Sequence, residues 1–330
     1  MHKRRLKFIW FAILILSIFL FGCDCTKSGL TTSSKPQNNG EFSVHYLDVG
    51  QGDAIFLYFP DGKTMLIDTG NGEKQNDDYL AQFFKDFGVS KIDYLILTHP
   101  DSDHIGGALN VVENFEIGKA FIPHILQPEN FASFKNVKNL LEQKHVPMEI
   151  SSMYKNIKGE EYSVVFLSPY PLDFPNVESS YEKLNGTYPT DGDINNASPI
   201  IYVEYKNVRF LFTGDAGSSQ EKIVLDIEKA LKPIFSSLGI NLTLNSIDFL
   251  KLSHHGSADS NTQEFLNLLK PKNAIISVGG GNVYGHPSTA VLERLITANP
   301  EHNLYRTDVL GTISVFVSDS GQVNVLTESD

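Results

Sequence analysis

Within the six residues His99-Pro100-Asp101-Ser102-Asp103-His104, four side chains could ligate a metal. They follow the apolar run Tyr94-Leu95-Ile96-Leu97, where a buried strand should end. Carboxylates this close repel one another unless something positive lies between them. In an extended segment, side chains at i and i+2 point the same way, so His99 and Asp101 can share one ion. Asp103 and His104, entering a helix, can share another.

Two later segments have the same form. Phe210-Leu211-Phe212-Thr213-Gly214-Asp215 is an apolar strand ending in a turn with a carboxylate. Phe249-Leu250-Lys251-Leu252-Ser253-His254-His255-Gly256-Ser257 ends in two histidines. Each piece alone has an ordinary explanation: a helix cap, a turn or a polar loop. Three apolar strands each delivering ligand-type side chains at their C-terminal ends is a far more specific pattern. Two divalent ions about 3.5–4 Å apart activate water and clamp the oxygens of an in-line displacement, so the chemistry indicated is hydrolysis.

The elements that must position these residues read as follows. Phe42–Val49, Ala54–Phe59 and Thr64–Asp68 are expected as strands, Asp77–Phe87 as a helix, Ile92–Thr98 as a strand and Ile105–Phe115 as a helix. Phe131–Lys144 reads as a helix and Ser163–Leu167 as a strand, while residues 169–196 read as a long loop. Pro199–Glu204 and Val208–Thr213 suggest a hairpin, followed by one helix over Ser219–Phe235. Strands are expected at Ile247–Leu252, Ala274–Val278, Leu304–Arg306, Thr312–Val317 and Gln322–Leu326, with helices near Thr262–Leu269 and Thr289–Ala298. Antiparallel strands followed by strand–helix alternation, twice over, suit two sheets with helices outside.

Lys3, Arg4, Arg5 and Lys7 precede an apolar run from Phe8 to Gly22, the layout of an export signal. That run is short for a spanning helix of about 20 apolar residues. Leu20-Phe21-Gly22-Cys23 resembles a bacterial lipobox, cleaved before the cysteine; an uncleaved N-terminal anchor is the alternative. The expected division is residues 1–22 as export signal, 23–40 as a flexible tether rich in Ser, Thr, Asn and Gly, and 41–330 as one domain. Either N-terminal reading places the protein outside the cytoplasmic membrane, tethered by a lipid or an anchor. The two cysteines, Cys23 and Cys25, offer no disulfide to the domain. The net charge of −12 argues against tight non-specific nucleic-acid binding.

The segment His99 to His104 resembles the HxHxDH signature of the metallo-β-lactamase fold superfamily, with Asp101 in place of the middle histidine. Together with Leu47-Asp48-Val49-Gly50-Gln51-Gly52-Asp53-Ala54, Thr213-Gly214-Asp215-Ala216, Ser253-His254-His255-Gly256-Ser257, Asn282-Val283-Tyr284-Gly285-His286-Pro287 and Tyr305-Arg306-Thr307-Asp308, it is similar to the extracellular hydrolase domain of ComEC-type DNA-uptake proteins. The likeness runs from about Phe42 to Val325.

The resemblance implies an α+β fold, an αββα four-layer sandwich of two mixed sheets with helices outside and two divalent ions, Zn2+ or Mn2+, at one edge. It implies that His99 and Asp101 hold the first ion, that Asp103, His104 and His255 hold the second, and that Asp215 bridges them. His254 is the alternative to His255, and the Asn196 amide is a further candidate at the first, oxygen-rich site. Asp68 would orient a ligand, unless it is only a turn residue. Asp103 and Asp215 would act on the water, and His286 and Tyr284 are candidate proton donors to a leaving group. Lys251 reads as a solvated strand-end charge, with an approach to an anionic substrate as the other reading. His45, His124, His145 and His302 read as structural or exposed, and residues 171–196 as a substrate wall or lid. The implied partners are DNA or another phosphodiester polymer, the membrane, and a DNA-uptake machinery. The same metals would also serve a phosphorylcholine esterase or a lactonase, and a binding module without catalysis is the remaining alternative.

Overall fold

The structure is a computed structural model that describes residues 41–125, 128–171 and 194–329. The expected export signal, the tether and all but the ends of the expected substrate wall lie outside the described residues. Among the described residues, no helix is long and apolar enough to cross a membrane.

Among the described residues, fifteen strands form two sheets. They are β1 (Phe42–Tyr46), β2 (Ile55–Tyr58), β3 (Thr64–Ile67), β4 (Lys91–Ile96), β5 (Glu116–Ile122), β6 (Met148–Ile150), β7 (Asn156–Lys158) and β8 (Tyr162–Phe166), then β9 (Ile201–Tyr205), β10 (Val208–Phe212), β11 (Phe249–Lys251), β12 (Asn273–Ile276), β13 (Asn303–Arg306), β14 (Ile313–Val317) and β15 (Val323–Thr327). The first sheet runs β15-β14-β1-β2-β3-β4-β5-β6 and the second β13-β12-β11-β10-β9-β8-β7. Each has an antiparallel part and a parallel part: β3 to β6 in the first sheet, β10 to β13 in the second.

The sheets pack face to face through aromatic side chains. Phe42 meets Phe210 at 5.5 Å between ring centroids, Phe121 meets Phe166 at 4.9 Å and Tyr46 meets Phe212 at 6.0 Å. Two further apolar clusters sit beneath helices. Leu80 and Phe84 of helix Lys74–Asp86 join Phe56, Leu95 and Val112 outside the first sheet. Phe265, Leu266 and Val291 of helices Gln263–Leu269 and Thr289–Ala298 join Leu211 and Leu250 outside the second. Helices, two sheets and helices make the four-layer αββα sandwich that the sequence suggested.

Two expected helices are broken. The stretch Ile105–Phe115 is a turn, Ser102–Ile105, and a helix, Ala108–Asn114, separated by Gly106-Gly107. A Cβ on Gly106 would lie 2.2 Å from the Asn71 carbonyl carbon, so backbone approach demands glycine there. Helix Ser219–Phe235 is instead Ser218–Asp226, a π-helical turn Ile227–Leu231, and Lys232–Ser237. Pro233 has no N–H to continue the α-helical ladder. Strands β5, β6 and β7 had not been expected; β6 and β7 are three residues each and border their sheets.

Candidate metal centre

In a parallel sheet all carboxyl strand ends lie at one edge, where ligands collect. The first sheet brings Asp68 after β3 and the segment His99 to His104 after β4. The second brings Asp215 after β10 and His254-His255 after β11. The loop from β1 to β2 adds Asp53 to the same edge. Gly52 makes that approach possible: its φ is +135°, and a Cβ there would sit 2.1 Å from the Asp103 carbonyl oxygen.

His104 stands at the middle of the cluster, fully buried. Its Nδ1 is 2.7 Å from Asp68 Oδ2, and its Nε2 is 3.1 Å from Asp215 Oδ1. His99 Nε2 lies 3.6 Å from Asp101 Oδ2 and 4.0 Å from Asp215 Oδ2. His255 Nε2 lies 3.3 Å from Asp103 Oδ2 and 3.6 Å from Asp215 Oδ2. The sets His99-His104-Asp215 and Asp103-His104-His255 each converge closely enough to hold a metal ion.

The hydrogen bonds behind the rings fix which nitrogen faces inward. His255 Nδ1 donates to the Ser277 carbonyl at 2.8 Å, and His104 Nδ1 donates to Asp68. Thr98 Oγ1 donates to Asp68 Oδ2 at 2.6 Å and can accept from His99 Nδ1 at 3.1 Å. Asp68 thus steadies two imidazoles at once and is more than a turn residue. With the protons on Nδ1, all three Nε2 lone pairs point inward. These three Nε2 atoms and Asp215 Oδ1 are buried without a hydrogen-bond partner. Buried polar atoms left so need an explanation; a shared cation fits imidazole and carboxylate donors of this kind.

The electrostatics agree. Burial would raise the Asp215 carboxyl, but His104 and His255 hold it well below the ordinary range. Burial likewise opposes ionisation of Asp103, yet the His255 ring and nearby His104 hold its carboxyl low. Burial favours neutral His104, but Asp215 and Asp68 raise its pKa well above the usual value. In the metal-free chain protons offset the carboxylates; a cation would displace them.

The turn carrying His254 and His255 is left-handed at both residues, with φ of 51° and 52°, a conformation costly without glycine. Asn261 holds it. Its Oδ1 accepts Ser253 N–H and its Nδ2 donates to the Ser253 carbonyl, both at 2.9 Å. Buried Glu221 accepts the backbone N–H groups of Asn261 and Thr262. The two histidines consequently diverge. His255 is buried in the cluster, whereas the His254 side chain is 32% exposed with its Nε2 3.6 Å from Asp215 Oδ2. The Asn196 amide oxygen accepts Gly217 N–H at 3.1 Å, beside the pocket.

Lys251 overturns both of its readings. It is fully buried, its Nζ 2.5 Å from Asp53 Oδ2 and 3.3 Å from the Gly214 carbonyl. Strand β11 is interior to its sheet, so its end meets the Asp53 loop instead of water. Asp53, beneath the His255 and His104 rings at 3.7 and 4.0 Å, was missed as a site residue. Its signal was a carboxylate opening an apolar strand directly after Gly-Gln-Gly.

The centre opens into a pocket of about 600 Å3 bordered by Gln51, Asn195, Ser219, Asp259, Tyr284 and His286 among others. No Lys or Arg is among the described residues lining it. His286 lies edge-on to His254 at 5.6 Å, with Nδ1 buried and unpartnered. Tyr284 is 67% exposed. Of the other described histidines, His45 is buried in a hydrogen-bonded site, and His124, His145 and His302 belong to none of the metal-competent groups among the described residues.

Residues 47–280 match the family model described as the metallo-beta-lactamase superfamily. ComE operon protein 3 of Bacillus subtilis (strain 168) is 29% identical, covering 84% of this chain and 33% of that protein. Recombination protein 2 of Haemophilus influenzae is 28% identical, covering 77% of this chain and 26% of that protein. Competence protein ComA of Neisseria gonorrhoeae is 26% identical, with coverage of 87% and 33%. The chain therefore spans about a third or less of the length of these relatives.

Proposed function

The chain belongs to the metallo-beta-lactamase superfamily, and from that premise we propose that it is a metal-dependent phosphodiesterase acting on DNA or another phosphodiester polymer. The observation carrying this reading is the convergence of three unpartnered Nε2 atoms on Asp215. His99 and Asp101 would hold one cation, Asp103, His104 and His255 the other, and Asp215 both. Two divalent cations, when bound, supply a lowered water pKa and neutralise charge that develops on the phosphoryl oxygens. Charge counting supports two. Asp53, Asp68, Asp101, Asp103 and Asp215 bring five negative charges and Lys251 one positive, and two divalent cations balance the remainder. With one imidazole and several oxygens, the first site favours Mn2+ more than a histidine-rich site would.

Asp103 and Asp215, held ionised, would accept hydrogen bonds from the attacking water and orient it, its proton passing to solvent in the open pocket. His286, with the Tyr284 hydroxyl nearby, donates a hydrogen bond to the leaving oxygen. The competence-protein relatives support a place beside a DNA-uptake machinery, and the Lys3-to-Cys23 pattern supports an exported, lipid-anchored protein. A second reading, a phosphorylcholine esterase or a lactonase, is favoured by the pocket's lack of Lys or Arg among its described lining residues.

The test is to titrate Mn2+ or Zn2+ into the full chain and assay single- and double-stranded DNA beside phosphorylcholine esters and lactones. Metal-dependent DNA cleavage is expected. Turnover of only the esters would select the second reading, and no turnover of anything would leave the non-catalytic binding module.

A further inference from the structure

The loop from Gly279 to His286 presents apolar surface to water: Val283 is 93% exposed and Tyr284 67%. Such residues usually sit on a slack loop, but this loop is tied. Asn282 Nδ2 donates to the carbonyls of Gly279 at 3.1 Å and His286 at 2.7 Å, while its Oδ1 accepts His286 N–H at 3.0 Å. Gly279 N–H in turn donates to Gln51 Oε1 at 3.2 Å, joining the loop to the one that carries Asp53. The exposed ring is therefore held in place. Tyr284 stacks on His286 at 5.8 Å and 17°, and His286 meets His254 at 5.6 Å. Three rings thus lead from solvent to the carboxylate of Asp215, 3.6 Å from His254 Nε2.

We propose that Tyr284 is a stacking platform for an unpaired nucleobase next to the scissile phosphate, and so sets the substrate class as single-stranded nucleic acid. The inference rests on the phosphodiesterase reading. Tyr284 lies near-parallel to His286 with the rings displaced; the exposed part of the ring can receive a planar group. The described pocket lining offers no ammonium or guanidinium to a flanking phosphate, so among the described residues the contacts available beyond the scissile phosphate are uncharged or aromatic ones. Base–aromatic stacking is such a contact and tolerates any base. A paired base is already stacked within its duplex and cannot turn onto the ring without being flipped out.

The experiment compares kcat/KM of the Mn2+-loaded full chain on a short oligothymidylate, on an abasic oligomer of the same length, and on the oligothymidylate annealed to its complement. The base-bearing single strand is expected to be cleaved roughly 5- to 150-fold faster than the abasic one, the range that loss of a stacked base gives. Tyr284→Ala should collapse that ratio towards one, whereas Tyr284→Phe should keep it, because the ring and not the hydroxyl does the binding. Equal rates on base-bearing and abasic strands, an unchanged ratio in Y284A, a lost ratio in Y284F, or duplex cleaved as fast as single strand would each overturn the platform while leaving the phosphodiesterase reading intact. Cleavage of none of the three would overturn DNA as the substrate, and this inference with it.

Discussion

Lys251 and Asp53 form a buried ion pair, 0% and 1% exposed, behind the rings that face the candidate ions. Desolvating both charges is costly, and their mutual attraction, with the Gly214 carbonyl accepting from Lys251, offsets it. Lys251→Met would strand the Asp53 carboxylate. We expect it to cost about 3–5 kcal/mol in urea unfolding of the metal-free chain, and Asp53→Asn/Lys251→Met to recover much of that loss. Equal stabilities of the wild type and K251M would show the pair to be idle. At this scale the sequence misled in one specific way. A lysine at a strand end is usually solvated, and nothing local reveals that an aspartate from a loop almost two hundred residues earlier will arrive there. The His99-to-His104 segment was legible because its ligand-type side chains are adjacent in the chain.

Strand β1 illustrates what an element conceals. Its five residues are all buried, because one face meets the second sheet and the other lies under helix Lys74–Asp86. His45 is therefore enclosed by Phe56, Phe83, Phe87 and Phe316, with Ser43 Oγ at 2.9 Å and Ser314 Oγ at 2.8 Å. Ser314 is also its cross-strand partner on β14. Burial pushes the His45 pKa down from 6.5 to about 3. Only the unfolded chain takes up this proton between those values, so the stability contribution is whole above pH 6.5 and drains away as the pH falls towards 3. His45→Gln, which cannot titrate, should flatten the acid limb of the unfolding curve in that window. Parallel acid limbs in the two proteins would contradict this. Among elements, the strands that deliver the candidate ligands were legible because their apolar runs end abruptly in polar residues. The π-helical turn before Pro233 and the short border strands β6 and β7 were not; few residues and weak periodicity left them no signature.

Across the whole molecule, the candidate centre spans the two sheets. His99, Asp101, Asp103 and His104 come from the first, Asp215 and His255 from the second. A cation held by both would clip the sandwich together at its ligand edge. Its removal should then lower global stability, by about 2.7 kcal/mol relative to a metal concentration one hundred times the Kd. Chelation followed by Mn2+ or Zn2+ add-back, read by thermal unfolding, checks this. A midpoint indifferent to both metals would remove the centre and every hydrolytic reading built on it.

The sequence by itself determined two sheets with helices outside and the strand ends that bear ligand-type residues, because hydrophobic periodicity and abrupt polar endings are local signals, while its family resemblance supplied the four-layer plan. Only the tertiary structure decided that His255 turns into the cluster while His254 faces the pocket, that Asp68 anchors two imidazoles, and that Lys251 is buried against Asp53. Those outcomes depend on which distant strands become neighbours and on which polar atoms lose water, and both are settled when the two sheets close on each other.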